Sequence, residues 1–466
     1  QGSNNSLIVI DGVPSLGGST YNINPDDIES ITVLRGASAG ALYGSEAGNG
    51  VVVITTKMGI QDKVSVNINS GTVVHSAIGL PRLQNTYGQG SLGVINSKLG
   101  TSWGAKMEGQ AYTNYKDRPD TYSPQPDNIN DFFNSGISLN NSIGVSGGTE
   151  KVKNYLSYTN TSTKGIVPTN NLTSHNVNLR VTTQISKRFS ADAKATYFKQ
   201  HIGNRMNGTS NNPVIRAYQI GRNMPLSDVK DYQVLNNGVP ASAFWASTDN
   251  LSYQNPYWTI NGNQVEETTD RLTGYLKANY KITDWLNVTG NASLEKSFSR
   301  DDHRVMQGVY FNPQREGGTY EVFNNGSTQK WFDVIFDGTN KISDNLKINY
   351  QAGGIYRDNN YNQDLAVANG LNVPNKFSVN FSSNSILRSS SSQIQTQSVF
   401  GQFNLSFKDA VFFNGSLRND WSSLLPKPHS FQYYSLGTSA VLSDLITLPR
   451  SISYLKTSIN YAEVGN

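Results

Sequence analysis

The sequence predicts an all-β membrane protein, an antiparallel transmembrane β-barrel preceded by a small globular segment. Three observations carry that expectation. Apolar and polar residues alternate with a period of two over long runs, and the connections between those runs alternate between short and long. No stretch approaches the roughly 20 consecutive apolar residues that a spanning helix needs. Composition agrees: of 466 residues, 36% are apolar, 10% aromatic and 15% charged, whereas a disordered chain would be poor in aromatics and rich in charge. The 42 Gly and 54 Asn suit turns, strands and a wetted interior.

Residues 1–60 come first and read as a small globular unit. Leu7 to Pro14 is a short buried strand ending in a turn, Ile28 to Gly36 a second strand, and Gly50 to Lys57 a third, strongly apolar one. Asn24 followed by Pro25 offers a helix start, with Asn24 as N-cap.

From Val64 onward the alternation predicts thirteen wall strands, near 64–75, 138–148, 152–163, 174–185, 187–200, 269–282, 285–298, 330–341, 345–358, 394–407, 410–421, 431–442 and 452–462. Leu286, Val288, Gly290, Ala292 and Leu294 against Asn287, Thr289, Asn291, Ser293 and Glu295 show the pattern, one face apolar and one wet. Such runs reach the roughly 9 to 11 residues that cross a bilayer at a tilt. Gaps after even-numbered strands are short, and Ile185-Ser186-Lys187, Ile282-Thr283-Asp284, Ile342-Ser343-Asp344 and Phe407-Lys408-Asp409 read as one repeated turn. Gaps after odd-numbered strands are mostly long, 76–137, 201–268, 299–329 and 359–393 above all, as expected of outside loops. Phe189, Trp285 and Phe412 near one rim, with Trp331, Trp421, Tyr433 and Tyr434 near the other, read as aromatic girdles. A bacterial barrel has an even number of strands, so thirteen implies more beyond Asn466. With no Met at Gln1 either, the chain reads as truncated at both ends.

Charge and composition then exclude functions. Net charge is +4, from 38 basic against 34 acidic residues scattered singly, so nucleic acid is not an expected partner. The absence of Cys removes disulfides, thiolate metal sites and cysteine nucleophiles. Histidines 75, 175, 201, 303 and 429 lack metal-ligand spacing, and the acid pairs Asp26-Asp27, Glu266-Glu267 and Asp301-Asp302 read as solvated loop charges. Gly88-Gln89-Gly90-Ser91-Leu92-Gly93 matches G-x-G-x-x-G but lies in a long loop without a parallel βαβ unit, so nucleotide binding is not expected. No catalytic residue, metal or cofactor is expected.

The first 60 residues also resemble the plug domain of TonB-dependent outer-membrane transporters, in particular the SusC/RagA branch. The resemblance rests on Asp11-Gly12-Val13-Pro14, on the run Pro25 to Ala37, and on Ala41-Leu42-Tyr43-Gly44 followed by Gly50-Val51-Val52. Asp131-Phe132-Phe133 with Gly136, Ser146 to Glu150, and Asp420 near Ser422-Ser423 resemble markers of the same branch. It implies that residues 1–60 are the C-terminal part of a plug and 61–466 the first part of a barrel of about 22 strands. It implies an outer-membrane, TonB-energised importer of oligomeric nutrients, glycans first and oligopeptides as the alternative, or else a plugged-barrel scaffold or receptor. The implied partners are a SusD-like lipoprotein, TonB through a segment absent here, an oligosaccharide or oligopeptide, outer-membrane lipid, and a dimer of transporter–lipoprotein pairs.

Two sets of site residues follow. Arg35 is the candidate for a plug-to-barrel ionic lock, because a cation in a barrel lumen needs a carboxylate partner. Tyr21 and Asn22 in the plug, with Trp103, Trp245, Tyr257 and Trp258 in the loops, are candidates for substrate contact, flat rings that stack on sugars or pack on peptide side chains. Aromatics in long loops serve equally often as structural anchors.

Overall fold

In the bilayer every backbone polar group must pair within the protein. The computed structural model meets that demand with one antiparallel sheet of thirteen strands, joined in sequence order. It describes residues 5–16, 23–34, 43–205, 212–236, 238–243, 245, 254–308, 316–382, 384–449 and 452–463. No described helix is long and apolar enough to cross a membrane.

The plug supplies β1 (Leu7–Ile10), β2 (Val13–Pro14), β3 (Ile28–Leu34) and β4 (Val51–Thr56), a separate sheet in the order β2-β1-β4-β3. The wall begins with β5 (Ser65–His75). A long loop follows with the small hairpin strands β6 (Gly90–Ser91), β7 (Val94–Ile95), β8 (Gln110–Thr113) and β9 (Pro119–Tyr122). The wall resumes with β10 (Gly136–Gly148), β11 (Val152–Lys164), β12 (Asn171–Gln184) and β13 (Phe189–Gly203). A second loop carries β14 (Gln233–Asn236) and β15 (Val239–Ser242). The wall then runs through β16 (Asn263–Lys281), β17 (Leu286–Val305), β18 (Thr319–Ser343), β19 (Leu346–Asn369), β20 (Ser385–Phe407), β21 (Val411–Ser422), β22 (Ser430–Val441) and β23 (Lys456–Glu463).

All thirteen expected wall strands are present, and five are much longer than expected. β16 to β20 run for 19, 20, 25, 24 and 23 residues, well past a bilayer's thickness. The connections after β17 and β19 therefore shrink to 306–318 and 370–384. Above the membrane both faces of a strand are wet, so alternation vanishes while the ladder of hydrogen bonds continues. Glu266-Glu267 and Asp301-Asp302 consequently lie on strands, not in loops. Alternation of short and long connections is also imperfect. The link 442–455 on the short side is long, and 165–170 on the long side is short.

The repeated turn divides into kinds. At 185–189 and 282–286 the pattern is shared, with Ile185 and Ser186 donating to the Phe189 carbonyl and Ile282 and Thr283 to that of Leu286. After β20, Lys408 and Asp409 instead take φ of +52° and +51°, and β18 enters its turn through a register shift at Lys341/Ser343.

Register decides the faces. Outward sit Leu156, Val177, Tyr197, Leu272, Leu294, Phe332, Phe336, Phe403, Phe413 and Tyr434, all exposed. The inward set is mostly polar, with Phe198, Ile355 and Phe400 among its buried apolar members. Trp421, Tyr434 and Trp285 are outward rim aromatics, but Trp331 and Tyr433 are buried on the lumenal side, and Phe412 shares the inward parity of Arg418 and Asp420. One residue of register separates Trp331 from the outward Phe332, which is why clustering of aromatics misassigned it.

Candidate functional site

The plug's first hairpin is fixed by its turn. Val9 pairs with Pro14 and Ile10 with Val13, leaving Asp11-Gly12 as a two-residue loop with φ of +50° and +94°. Asp-Gly favours the type I′ geometry that such hairpins need. The turn presents the Asp11 carboxylate, 2% exposed, to the wall: Lys194 Nζ lies 2.8 Å away and Arg180 Nη1 3.6 Å away. The Thr56 amide and hydroxyl donate to the same carboxylate at 2.9 and 2.8 Å. Burial alone would raise this carboxyl, but the Lys194 charge, the hydrogen bonds and Arg180 hold it below its ordinary 3.8. Arg180 also donates to the Thr56 carbonyl at 2.8 Å and pairs with Asp192 at 2.7 Å.

Further contacts spread around the wall. Arg271 donates to Ser15 Oγ at 3.1 Å and pairs with Glu295, which accepts from the Leu16 amide at 3.3 Å. Gln329 donates to the Pro14 carbonyl at 2.7 Å, and Val13 packs against Trp331, Ile355 and Phe400. Asn24 caps a single 3-10 turn, Pro25–Asp27, and donates to Thr159 at 2.6 Å. Asp27, expected as a solvated charge, is buried and accepts from Tyr155 at 2.7 Å and Ser157 at 2.9 Å. Asp26 accepts from Asn69 at 3.1 Å and from Ser142. Glu46 pairs with Arg357 at 2.7 Å. The plug is thus held by charge and hydrogen bonds around much of the sheet, with one small apolar contact.

Just beyond these contacts, toward the long loops, the lumenal face changes character. Following the pairing across the sheet gives one continuous rung: Asn140, Thr161, Ser174, Gln200, Thr269, Ser299, Asn325, Gln363 and Ser390. Nine strands contribute and every side chain is an uncharged hydroxyl or amide. Members bond to one another, Gln363 to Asn325 at 2.8 Å, Asn325 to Ser299 at 3.3 Å and Thr161 to Asn140 at 3.2 Å. One rung further out, Glu267 and Asp301 face each other on β16 and β17.

The long loops fold into a body with its own core of Tyr115, Phe132, Ile220, Met224, Val229, Trp245 and Ile260. Two of its helices begin with Asn-Pro. Asn212 accepts from the Val214 amide at 2.9 Å, and Asn255 from that of Tyr257 at 2.9 Å. Arg222 is buried, donating to Asn85 Oδ1 at 2.7 Å and the Pro126 carbonyl at 2.9 Å. Burial, then the Asp228 and Asp231 charges, push the Tyr115 phenol far above its usual range. Burial, then the like charge of Asp120, raises Asp228.

The structure scatters the substrate-contact candidates. Trp245 and Trp258 are wholly buried and offer no open ring face, and Tyr257 is half-buried against the loop core. Trp103 is 64% exposed, its ring 6.2 Å from Tyr87. Tyr21, Asn22 and Arg35 lie outside the described residues. The G-x-G-x-x-G run forms the β6–β7 hairpin with φ of +134°, +52° and +77° at Gly90, Leu92 and Gly93, and no helix follows. Sequence reasoning missed the Asp11 contacts and the hydroxyl–amide rung. Lumenal parity on each strand was the signal for the rung and for Arg180 and Lys194, but it gives no sign of Asp11.

Comparison with known proteins agrees with this architecture. Residues 1–51 match the family model described as TonB-dependent Receptor Plug Domain. The chain is 23% identical over 491 residues to the TonB-dependent receptor P26 of Formosa agariphila, covering all of this chain and 46% of that protein. It is 24% identical over 367 residues to the TonB-dependent receptor SusC of Bacteroides thetaiotaomicron, covering 72% and 33%. In fold it is similar to the RagAB peptide importer in its closed-closed state, with a TM-score of 0.76, 18% identity, and coverage of 100% and 54%. The unliganded ferric citrate transporter FecA gives a TM-score of 0.56 at 11% identity over 94% and 52%. The chain spans about half the length of the relatives it matches.

Proposed function

We propose that this SusC/RagA-like TonB-dependent outer-membrane β-barrel protein is the plug-bearing half of an importer of oligomeric nutrients, glycans in the first place. The observation that carries the reading is the uncharged rung on the lumenal face, between the plug contacts and the long loops. A neutral, hydroxyl-rich oligomer must exchange water hydrogen bonds for protein ones as it enters, and nine strands of amides and hydroxyls supply them. Fixed charges there would instead leave a charge desolvated against each neutral sugar.

The plug closes the path and its polar seat makes it removable, since hydrogen bonds and ion pairs can be traded for water in a way that a large apolar interface cannot. In this reading energy comes through TonB, and a SusD-like lipoprotein holds the substrate at the loop side. Residues 1–60 are the plug part and 61–466 the wall part. No covalent chemistry is involved.

Oligopeptide import is the second reading. It is favoured by Asp301 above the rung, which would attract basic side chains while Glu267 opposite it is paired with Arg205, and by the fold similarity to a peptide importer. Uptake by intact cells lacking the parent gene separates the two. The expected result is failure to take up one neutral oligosaccharide class with surface degradation unchanged. Loss of peptide uptake alone would select the second reading, and unchanged uptake of both would sink the importer.

A further inference from the structure

Wall strand β20 rises well past its neighbour β21. The latter reaches only to Ser422, opposite Thr396, so β20 from Ser385 to Gln395 has β19 on one side and no strand on the other. The chain turns away at that height. The Ser423 amide donates to the Gln395 carbonyl at 3.1 Å, the Gln395 amide donates to Ser423 Oγ at 3.2 Å, and the Ser422 amide then donates back to the His429 carbonyl. Gln395 thus directs both of its backbone groups away from β19. Register with β19 holds without a shift from Ser385 to Phe407, so Leu387, Ser389, Ser391 and Gln393 direct theirs the same way. None of these N–H and C=O groups has a hydrogen-bond partner among the described residues, and Ser385 to Gln393 are exposed throughout.

Proteins usually blunt a free sheet edge with proline, charge or a bulge. This one has neither proline nor bulge, and Arg388 is its one charge. It stands in water, because the outward rim aromatic Trp421 already lies opposite Gln397, below the open part. Such an edge pairs with an extended polypeptide. The same edge of a second copy does not fit: copies in one membrane share an axis along its normal, so their β20 strands descend together and, at a tilt of about 35–45°, would cross at about 70–90°. In the more stable antiparallel ladder the incoming strand climbs away from the membrane while β20 descends toward it. A segment held at the membrane by its N-terminal end has that direction, and a surface lipoprotein, acylated at its N-terminus, begins with one.

We propose that the open edge of β20 pairs with the extended N-terminal tether of the lipoprotein partner, a strand addition through Leu387, Ser389, Ser391 and Gln393 that fixes the partner to the rim of the wall. Arg388 favours a carboxylate across from it on that tether. The assignment rests on the lipoprotein partner of the function proposed above.

The test isolates the full-length protein from its own cells in mild detergent, counts co-purifying lipoprotein by mass spectrometry and follows hydrogen exchange in the same sample. Amides of residues 385–395 should exchange at least tenfold more slowly in the complex than in protein stripped of the lipoprotein. Ser389→Pro and Ser391→Pro each remove an edge N–H that β19 does not use, so the barrel should keep its resistance to heat and detergent while lipoprotein retention falls at least tenfold. Ser391→Ala should match the native protein. A photo-reactive benzoylphenylalanine in place of Leu387 should attach to the lipoprotein near its acylated end. Attachment to the folded body of the lipoprotein, to another part of this chain, to a free oligopeptide or to nothing would overturn the strand addition and leave the lipoprotein reading standing, as would undiminished retention by both proline variants. A native protein that retains no lipoprotein would overturn both.

Discussion

Arg180 and Lys194 stand directly opposite each other on β12 and β13, both facing the lumen. Like charges so placed repel unless an anion lies between them, and Asp11 is that anion. The two cations were legible as inward residues from alternation alone. Their partner was not, because it belongs to a different unit far away in sequence, and the expected lock at Arg35 pointed to the opposite arrangement, a plug cation seeking wall acids. Replacing Asp11 by Asn leaves Lys194 buried with no neutralising charge, a loss on the order of 3 kcal/mol in plug seating. Hydrogen exchange of β1–β4 amides in the full-length protein should show protection falling by about two orders of magnitude, and the added change Lys194→Met should restore most of it. The pH dependence follows in sign. The folded carboxyl titrates below the unfolded value of 3.8, so its contribution is complete above 3.8 and is lost only as pH falls through the lower, folded value. Protection of β1 and β4 should thus stay flat from neutral pH down to about 4. A decline beginning near pH 6 would assign the seat to other groups.

At the scale of elements, the wall strands were readable wherever one face meets lipid and the other water, and unreadable where both faces meet water. β17 shows the boundary within one strand. Leu286 to Leu294 alternate cleanly, whereas from Ser299 to Arg304 polar residues occupy both faces and only the ladder to β18 reveals a strand. The loops fail for another reason. Their aromatics are visible in sequence, but which of them form a core depends on long-range packing that has no period. Trp245 and Trp103 make the contrast testable. Trp245→Ala removes a fully buried indole from the loop core and should cost about 3–5 kcal/mol locally. Limited proteolysis should then cut the loops near 205–260 while the barrel keeps its resistance to heat and detergent. Trp103→Ala, at an exposed ring, should leave the digestion pattern unchanged. A third element, the joint between plug and wall, tolerates no side chain at Gly59: an added Cβ would lie 2.3 Å from the Asn154 amide nitrogen and 2.6 Å from its carbonyl oxygen. Gly59→Ala must displace β11 backbone, and the yield of folded protein should fall severalfold against the native chain refolded in parallel.

For the whole molecule, the sheet's two faces solve two solvent problems at once, and under the proposed import function the lumenal solution would restrict what can pass. Residues that touch the plug include charges, whereas the rung beyond it is neutral on all nine strands. Nothing in composition forces this, since the chain carries 72 charged residues in all, 38 basic and 34 acidic. The neutrality is therefore a property of one rung that winds across nine tilted strands, and a charge placed there should act on passage without disturbing the fold. Asn325 and Gln363 are the test positions, adjacent on β18 and β19 and bonded at 2.8 Å. The double variant Asn325→Asp, Gln363→Glu sets two like charges side by side against the incoming chain, each of which must be desolvated against a neutral sugar. With an intact seat at Asp11, plug protection should match the native protein, while uptake of a labelled neutral oligosaccharide by cells should drop at least tenfold, about 1.4 kcal/mol in the passage barrier. Uptake of a cationic peptide should rise or hold in the same cells. If the neutral sugar enters the double variant at the native rate, the rung does not contact the substrate, and selection must lie in the loop body above it.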